Sequence, residues 1–153
     1  MWHSMKAREL MIKDIVTLNE DVSVHYAARM MNEHRIGCLL ALDNGEIVGI
    51  LTERDLLKRV LEACRNPKTT KVSEIMTRKV IVGHPDMQIV EATRLMFENK
   101  VKKLPIVEDH RLVGLITLTD IARTTHVDEK TMKLIDTLSN LHTLGESRWP
   151  TIV

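Results

Sequence analysis

Apolar and polar positions along this chain follow one order of elements, and they follow it twice. Each pass begins with a short extended piece, DIVTL at 14–18 and KVIVG at 79–83. Helical spacing comes next: Val24, Ala27, Ala28 and Met31 share a face in the first pass, and Ile89, Ala92, Leu95 and Met96 in the second. These helices are expected to begin near Asp21 and Asp86. Two strand-like runs follow, CLLALD (38–43) and EIVGILT (46–52), separated by Asn44-Gly45. Asn-Gly between apolar runs is a strong hairpin signal. The second pass writes KLPIVE (103–108) and RLVGLIT (111–117) around Asp109-His110. A closing helix is expected from about Glu53 and again from about Leu118. Past the second pass, residues 128–144 place Met132, Ile135, Leu138 and Leu141 on one helical face, with Asp128 near the start. That pattern predicts a packing or dimer helix, with a regulatory or partner-docking helix as the alternative.

The two passes are copies. At an offset of 65, residues 6–57 lie over 71–122 without a gap, and thirteen positions are identical. Among them are Lys6/Lys71, Glu9/Glu74, Met11/Met76, Asp21/Asp86, Gly49/Gly114, Thr52/Thr117 and Asp55/Asp120. Two copies at this period describe a duplicated subdomain. The expected fold is α/β (α+β): two pseudo-symmetric β-α-β-β-α repeats packed through their sheets, plus a C-terminal helix. The expected boundaries are repeat one at 6–64, a polar linker at 65–70 (RNPKTT), repeat two at 71–125, and a helix and tail at 126–153.

Composition narrows the function. With one Phe, one Tyr and two Trp, the core must be aliphatic, and no aromatic platform exists on which to stack nucleic-acid bases. A net charge of +1 offers no broad basic footprint for a duplex. No apolar run approaches membrane-spanning length, and the start MWHSMK has no signal-peptide core. Cys38 and Cys64, without CxxC spacing, fit free thiols in a reducing cytoplasm. The seven histidines show no metal spacing, and no Gly-rich phosphate loop, G-x-S-x-G or H-E-x-x-H is present. The expectation is a cytoplasmic protein that is not an enzyme and holds no metal.

The chemistry gathers at two corners where a strand feeds a helix, GILTERD (49–55) and GLITLTD (114–120). An Asp in the first helical turn can accept hydrogen bonds from both hydroxyls of a ribose. A Thr three residues earlier can bond ribose or phosphate, and the helix start adds N–H donors. The same spacing also reads as a helix cap, with Thr and Asp satisfying the first turn.

In tandem β-α-β-β-α units, this repeated G-h-h-T-x-x-D corner resembles a pair of CBS (cystathionine-β-synthase-type) domains, the Bateman module. The likeness covers residues 6–125. It implies a regulatory module that binds adenosyl ligands, AMP, ADP, ATP or S-adenosylmethionine, in two clefts between the repeats. It implies no obligatory cofactor, an effector protein on another chain, and a homodimer built on the helices at 21–34, 53–63, 86–99 and 118–123. One cleft would use Thr52 and Asp55 with Ile81, Val82, Lys102 and Lys103. The other would use Thr117 and Asp120 with Val16, Thr17, Gly37 and Cys38. Thr17 matches a threonine that the family often places beside the base, and its counterpart Val82 departs from that pattern. Arg54, with Lys100, Lys102 and Lys103, gives the first cleft the denser positive charge, since position 119 of the second is a threonine. The competing reading is a protein- or nucleic-acid-interaction module whose clefts hold no nucleotide, supported by the lysines at 100–103.

Overall fold

The structure is a computed structural model that describes residues 5–124 and 129–146. Its chain packs into two compact units. One comprises Asp14–Val80 with Asp109–Leu112; the other comprises the chain up to Lys13, Ile81–Glu108 and the chain from Val113 onward.

In the first unit, β1 (Thr17–Asn19) pairs parallel with β2 (Cys38–Asp43), and β2 pairs antiparallel with β3 (Glu46–Thr52). The β2–β3 turn puts Asn44 and Gly45 at φ 49° and 82°. Both central residues therefore have positive φ, the condition that favours Asn-Gly in a two-residue hairpin. Helix α2 (Val24–His34) starts later than Asp21, because Ser23 is its cap: the Ser23 hydroxyl accepts from the Tyr26 N–H at 3.1 Å. It ends at Arg35 in the left-handed conformation. Helix α3 (Glu53–Leu56) continues as a π-helical turn, Leu57–Leu61. The core sets Val24, Ala27 and Met31 of α2 against Leu39 and Leu51 of the sheet.

The second unit repeats this plan with one loss. Helix α5 (Ile89–Asn99) is capped by Gln88 rather than Asp86 and ends at Lys100, again left-handed. Strands β4 (Lys103–Glu108) and β5 (Arg111–Thr117) form the hairpin, and α6 (Leu118–Ala122) closes the repeat. The expected extended piece at 79–83 forms no strand; a single parallel bridge, Gly83 to Ile106, marks where β1 has its counterpart. Helix α7 (Glu129–Glu146) packs along α5 and α6. Its buried face carries Thr131, Ile135 and Leu138, while Met132 points outward. Asp128 lies outside the described residues, and the side chain of Leu141 is likewise not described. Of the four helices expected to offer apolar faces to a second copy, α5 and α6 are thus covered by the chain itself.

The leading segments of the repeats are exchanged. Helix α1 (Ala7–Leu10) and its flanks belong to the unit of repeat two, and α4 (Val72–Ile75) and its flanks to that of repeat one. Ala7 N–H donates to Met87 and Val72 N–H to Val22; Ile12 bridges Leu115, and Thr77 bridges Ile50. Ala7 lies in the core with Ile89 and Leu104, while Val72, Ile75 and Met76 lie in the core with Leu39 and Leu51. Burying an aliphatic side chain stabilises by about 1.5–3 kcal/mol, so three on one short segment hold it firmly. Several identities between the copies now have a cause. Lys6 reaches Asp86 at 3.7 Å and Lys71 reaches Asp21 at 3.9 Å. Met11 lies over Gly114 and Met76 over Gly49, where a Cβ on either glycine would overlap the thioether.

Asp86 illustrates the electrostatics of this exchange. The Arg8 guanidinium donates to it at 2.8 and 3.1 Å and, with Lys6 and His84 nearby, holds its carboxyl below the usual carboxylate range. A carboxyl depressed in the folded state stabilises above its unfolded pKa and loses that contribution as pH falls through its folded value. Urea titrations between neutral and acid pH are expected to show a small acid-side decline that Asp86→Asn removes. An unchanged decline in Asp86→Asn would place the titrating group elsewhere.

Candidate functional site

Both corners form, and both are built alike. Thr52 stands at the end of β3 and caps α3: its hydroxyl accepts from the Asp55 N–H at 3.2 Å, while Asp55 Oδ2 accepts from the Thr52 N–H at 2.9 Å and hydroxyl at 3.0 Å. Thr117 and Asp120 repeat the arrangement at 3.1, 3.2 and 2.6 Å. The capping role of this motif is therefore real. It engages Oδ2 of each half-buried aspartate, and a carboxylate has roughly four acceptor positions, so the cap does not exhaust the group.

The corners differ in what lies behind the aspartate. Asp55 Oδ1 is 3.8 Å from Arg59, which also donates to the Ile75 carbonyl at 2.7 Å. The matching position in repeat two is Thr124. Arg59 was legible as an i+4 partner of Asp55 on a helix, a spacing that brings opposite charges together. Arg54 and Thr119, the other paired positions, are exposed on the first turns of their helices.

Within its own unit, each corner abuts the entry to its hairpin. The Glu53 N–H donates to the Gly37 carbonyl at 3.0 Å, and Cys38 is paired with Thr52. The Leu118 N–H donates to the Lys102 carbonyl at 2.9 Å, and Lys103 opens β4. Gly37, Cys38, Lys102 and Lys103 are all half-buried. Thr17 opens β1 opposite Leu40, with half-buried Val16 just before it. Ile81 is half-buried and Val82 exposed, in the segment where the strand does not form. The corner glycines, Gly49 and Gly114, are buried beneath methionines, so close packing of chain on chain accounts for them.

One grouping escaped the sequence reading. The ligand-type atoms of His84, Asp86 and Glu108 lie within 4.8 Å of one another. Arg8 already lies 2.8 Å from Asp86 and 3.8 Å from Glu108, with Lys6 beside it, so two cations neutralise these carboxylates. Among the described residues, no helix is long and apolar enough to cross a membrane.

Two copies of one unit, each ending in the same capped corner, agree with the family comparison. The model of the CBS domain matches residues 7–62 and 72–126. The chain belongs to the CBS domain family. This CBS pair is similar to Hypoxic response protein 1 of Mycobacterium tuberculosis, 33% identical over 118 residues, which cover 76% of this chain and 82% of that protein. The crystal structure of Hypoxic Response Protein I with two coordinated zinc ions superposes with a TM-score of 0.71, covering 78% of this chain and 98% of that one. The CBS domain pair of protein MJ0100, solved in complex with 5′-methylthioadenosine and S-adenosyl-L-methionine, is 30% identical with a TM-score of 0.68, covering 78% of this chain and 94% of that one. Inosine-5′-monophosphate dehydrogenase of Methanocaldococcus jannaschii is 41% identical over 120 residues, but the CBS pair spans only 23% of that enzyme.

Proposed function

We propose that this CBS pair is a non-catalytic regulatory module that binds adenosyl ligands at its Thr/Asp corners and signals their presence to a separate effector protein. The observation that carries the reading is the second carboxylate oxygen left over by each cap, on two half-buried aspartates in equivalent positions. A ribose diol is a fitting occupant, because two hydroxyl donors meet a charged acceptor fixed in place by its own helix. The adenosyl complex of the MJ0100 pair supports the choice of ligand class.

The ligand set is AMP, ADP, ATP or S-adenosylmethionine, and an energy-sensing role follows if the phosphorylated members bind. Thr52, Arg54 and Asp55 take one ligand with Ile81, Val82, Lys102 and Lys103. Thr117, Thr119 and Asp120 take the other with Val16, Thr17, Gly37 and Cys38. Asp and Thr bind without supplying a base, nucleophile or metal to transform what they hold, which is the reason to assign regulation rather than turnover.

A ligand that binds only the folded chain stabilises it by RT ln(1 + [L]/Kd), about 2.7 kcal/mol at a hundredfold excess over Kd. Millimolar AMP, ATP or S-adenosylmethionine is therefore expected to raise the melting temperature. Four unmoved melting curves, with ADP as the fourth, would overturn the ligand class.

A further inference from the structure

The helical faces of the two repeats are equivalent by sequence, yet only one is covered. In repeat two, Ile89 of α5 and Leu118 and Ile121 of α6 share a buried cluster with Ile135 and Leu138 of α7, and Thr93 is fully buried. The counterparts of these four in repeat one are Val24, Ala28, Glu53 and Leu56. All four line an open groove of about 600 Å³ between α2 and the α3 helix with its π-helical turn. Along the groove, Leu57 and Leu61, one turn apart, keep 59% and 70% of their surface exposed. Exposed aliphatic residues beside a preformed apolar groove are the mark of a surface built to receive something.

The chain itself shows what such a groove receives. We propose that the repeat-one groove is the effector-docking site, and that its occupant is an amphipathic helix of the effector, with aliphatic or small residues at i, i+4 and i+7. That is the spacing of Thr131, Ile135 and Leu138, which fill the equivalent face of repeat two. A single helix laid in an apolar groove is a recurrent recognition mode with these anchor spacings. Charge refines the partner. Residues 53–68, which form one wall, carry Arg54, Lys58, Arg59, Arg65 and Lys68 among seven basic and acidic neighbours that include only Glu53, Asp55 and Glu62 on the acidic side. The docking helix should therefore carry acidic residues on its flanks. This inference supplies a surface for the effector of the proposed function, but it does not depend on the corners binding nucleotide.

The chain's own helix provides the probe. A fluorescein-labelled peptide of residues 129–146 is titrated with the intact protein, with no nucleotide present. The expected result is saturable binding that Leu61→Glu weakens at least tenfold, and that Leu57→Glu weakens similarly. Both residues are exposed, so either change should leave the melting temperature near that of the parent. Cys64, which lines the groove, should react more slowly with a maleimide when the peptide is bound. Absence of saturable binding would overturn the proposal, as would binding that neither glutamate affects. A doubled mass in light scattering that Leu61→Glu returns to about the 17.5 kDa of one chain would also overturn it, by assigning the groove to a second copy. Unmoved melting curves with every adenosyl ligand, alongside groove-dependent peptide binding, would reject the ligand reading and leave the docking site standing.

Discussion

Replacing Asp55 and Asp120 together by Asn is expected to lower the affinity for AMP or S-adenosylmethionine by tenfold or more. A hydrogen bond to a charged group contributes about 1.5–3 kcal/mol, and each 1.4 kcal/mol is one decade in Kd. The fold should survive, because the Asn side-chain oxygen still accepts from the threonine that caps the turn. A 2′,3′-dideoxy analogue discriminates the roles, since it has no diol and should lose little affinity on the same change. Calorimetry that finds parental affinity for AMP in the folded double variant would reject the ribose role and leave the aspartates as caps. The single variants should not be equal. Asp55 also faces Arg59 at 3.8 Å, so Asp55→Asn removes an ion-pair partner that Asp120→Asn does not. That pair is partly exposed and worth under about 1 kcal/mol, so stability should differ only slightly. The larger difference is expected in phosphorylated ligands, where Arg54 and the lysines favour the Asp55 corner.

Gly49→Val is expected to destabilise the fold by about 1–3 kcal/mol, the usual cost of forcing extra volume into a packed core. The added atoms would meet the Met76 side chain, which is itself buried. Met76→Ala alone should also be costly, about 2–5 kcal/mol, because it leaves a cavity. Combined, the two changes should cost less than their sum, since each makes room for or fills the space of the other. Urea denaturation of the four proteins completes the cycle. Strict additivity would mean that Met76 does not rest on Gly49, and with it the exchange of leading segments would lose its clearest contact.

Much of this architecture was legible in the order of residues. The hairpins were written in Asn44-Gly45 and its counterpart Asp109-His110, and the corners in Thr52, Asp55, Thr117 and Asp120, because turn chemistry and capping are local. Helix starts were misplaced by three residues for the same local reason. Asp21 and Asp86 look like caps, but Ser23 and Gln88 take that role, and Asp86 serves Arg8 from a distant part of the chain. The segment at 79–83 has the apolar content of a strand, yet strand formation depends on a partner along its length, and it finds one only at Gly83. No local pattern could reveal the exchange of leading segments. Periodicity reports which face of an element is buried, not which repeat buries it. The uncovered groove was hidden likewise, since the helices at 21–34 and 86–99 look equally apolar until α7 is seen lying on only one of them.

The exchange also sets a timetable for the growing chain. A ribosome delivers residues from the N-terminus, and domains tend to fold as they emerge. Here residues 14–64 emerge without α4, so the first unit lacks Val72, Ile75 and Met76 from its core until about residue 80 has been made. Residues 6–12 wait longer, because the strand that Ile12 bridges is not complete before Thr117. Such long-range closure must be paid in chain entropy before any contact rewards it, and it slows folding. The first dozen residues to leave the ribosome are therefore among the last to find their place.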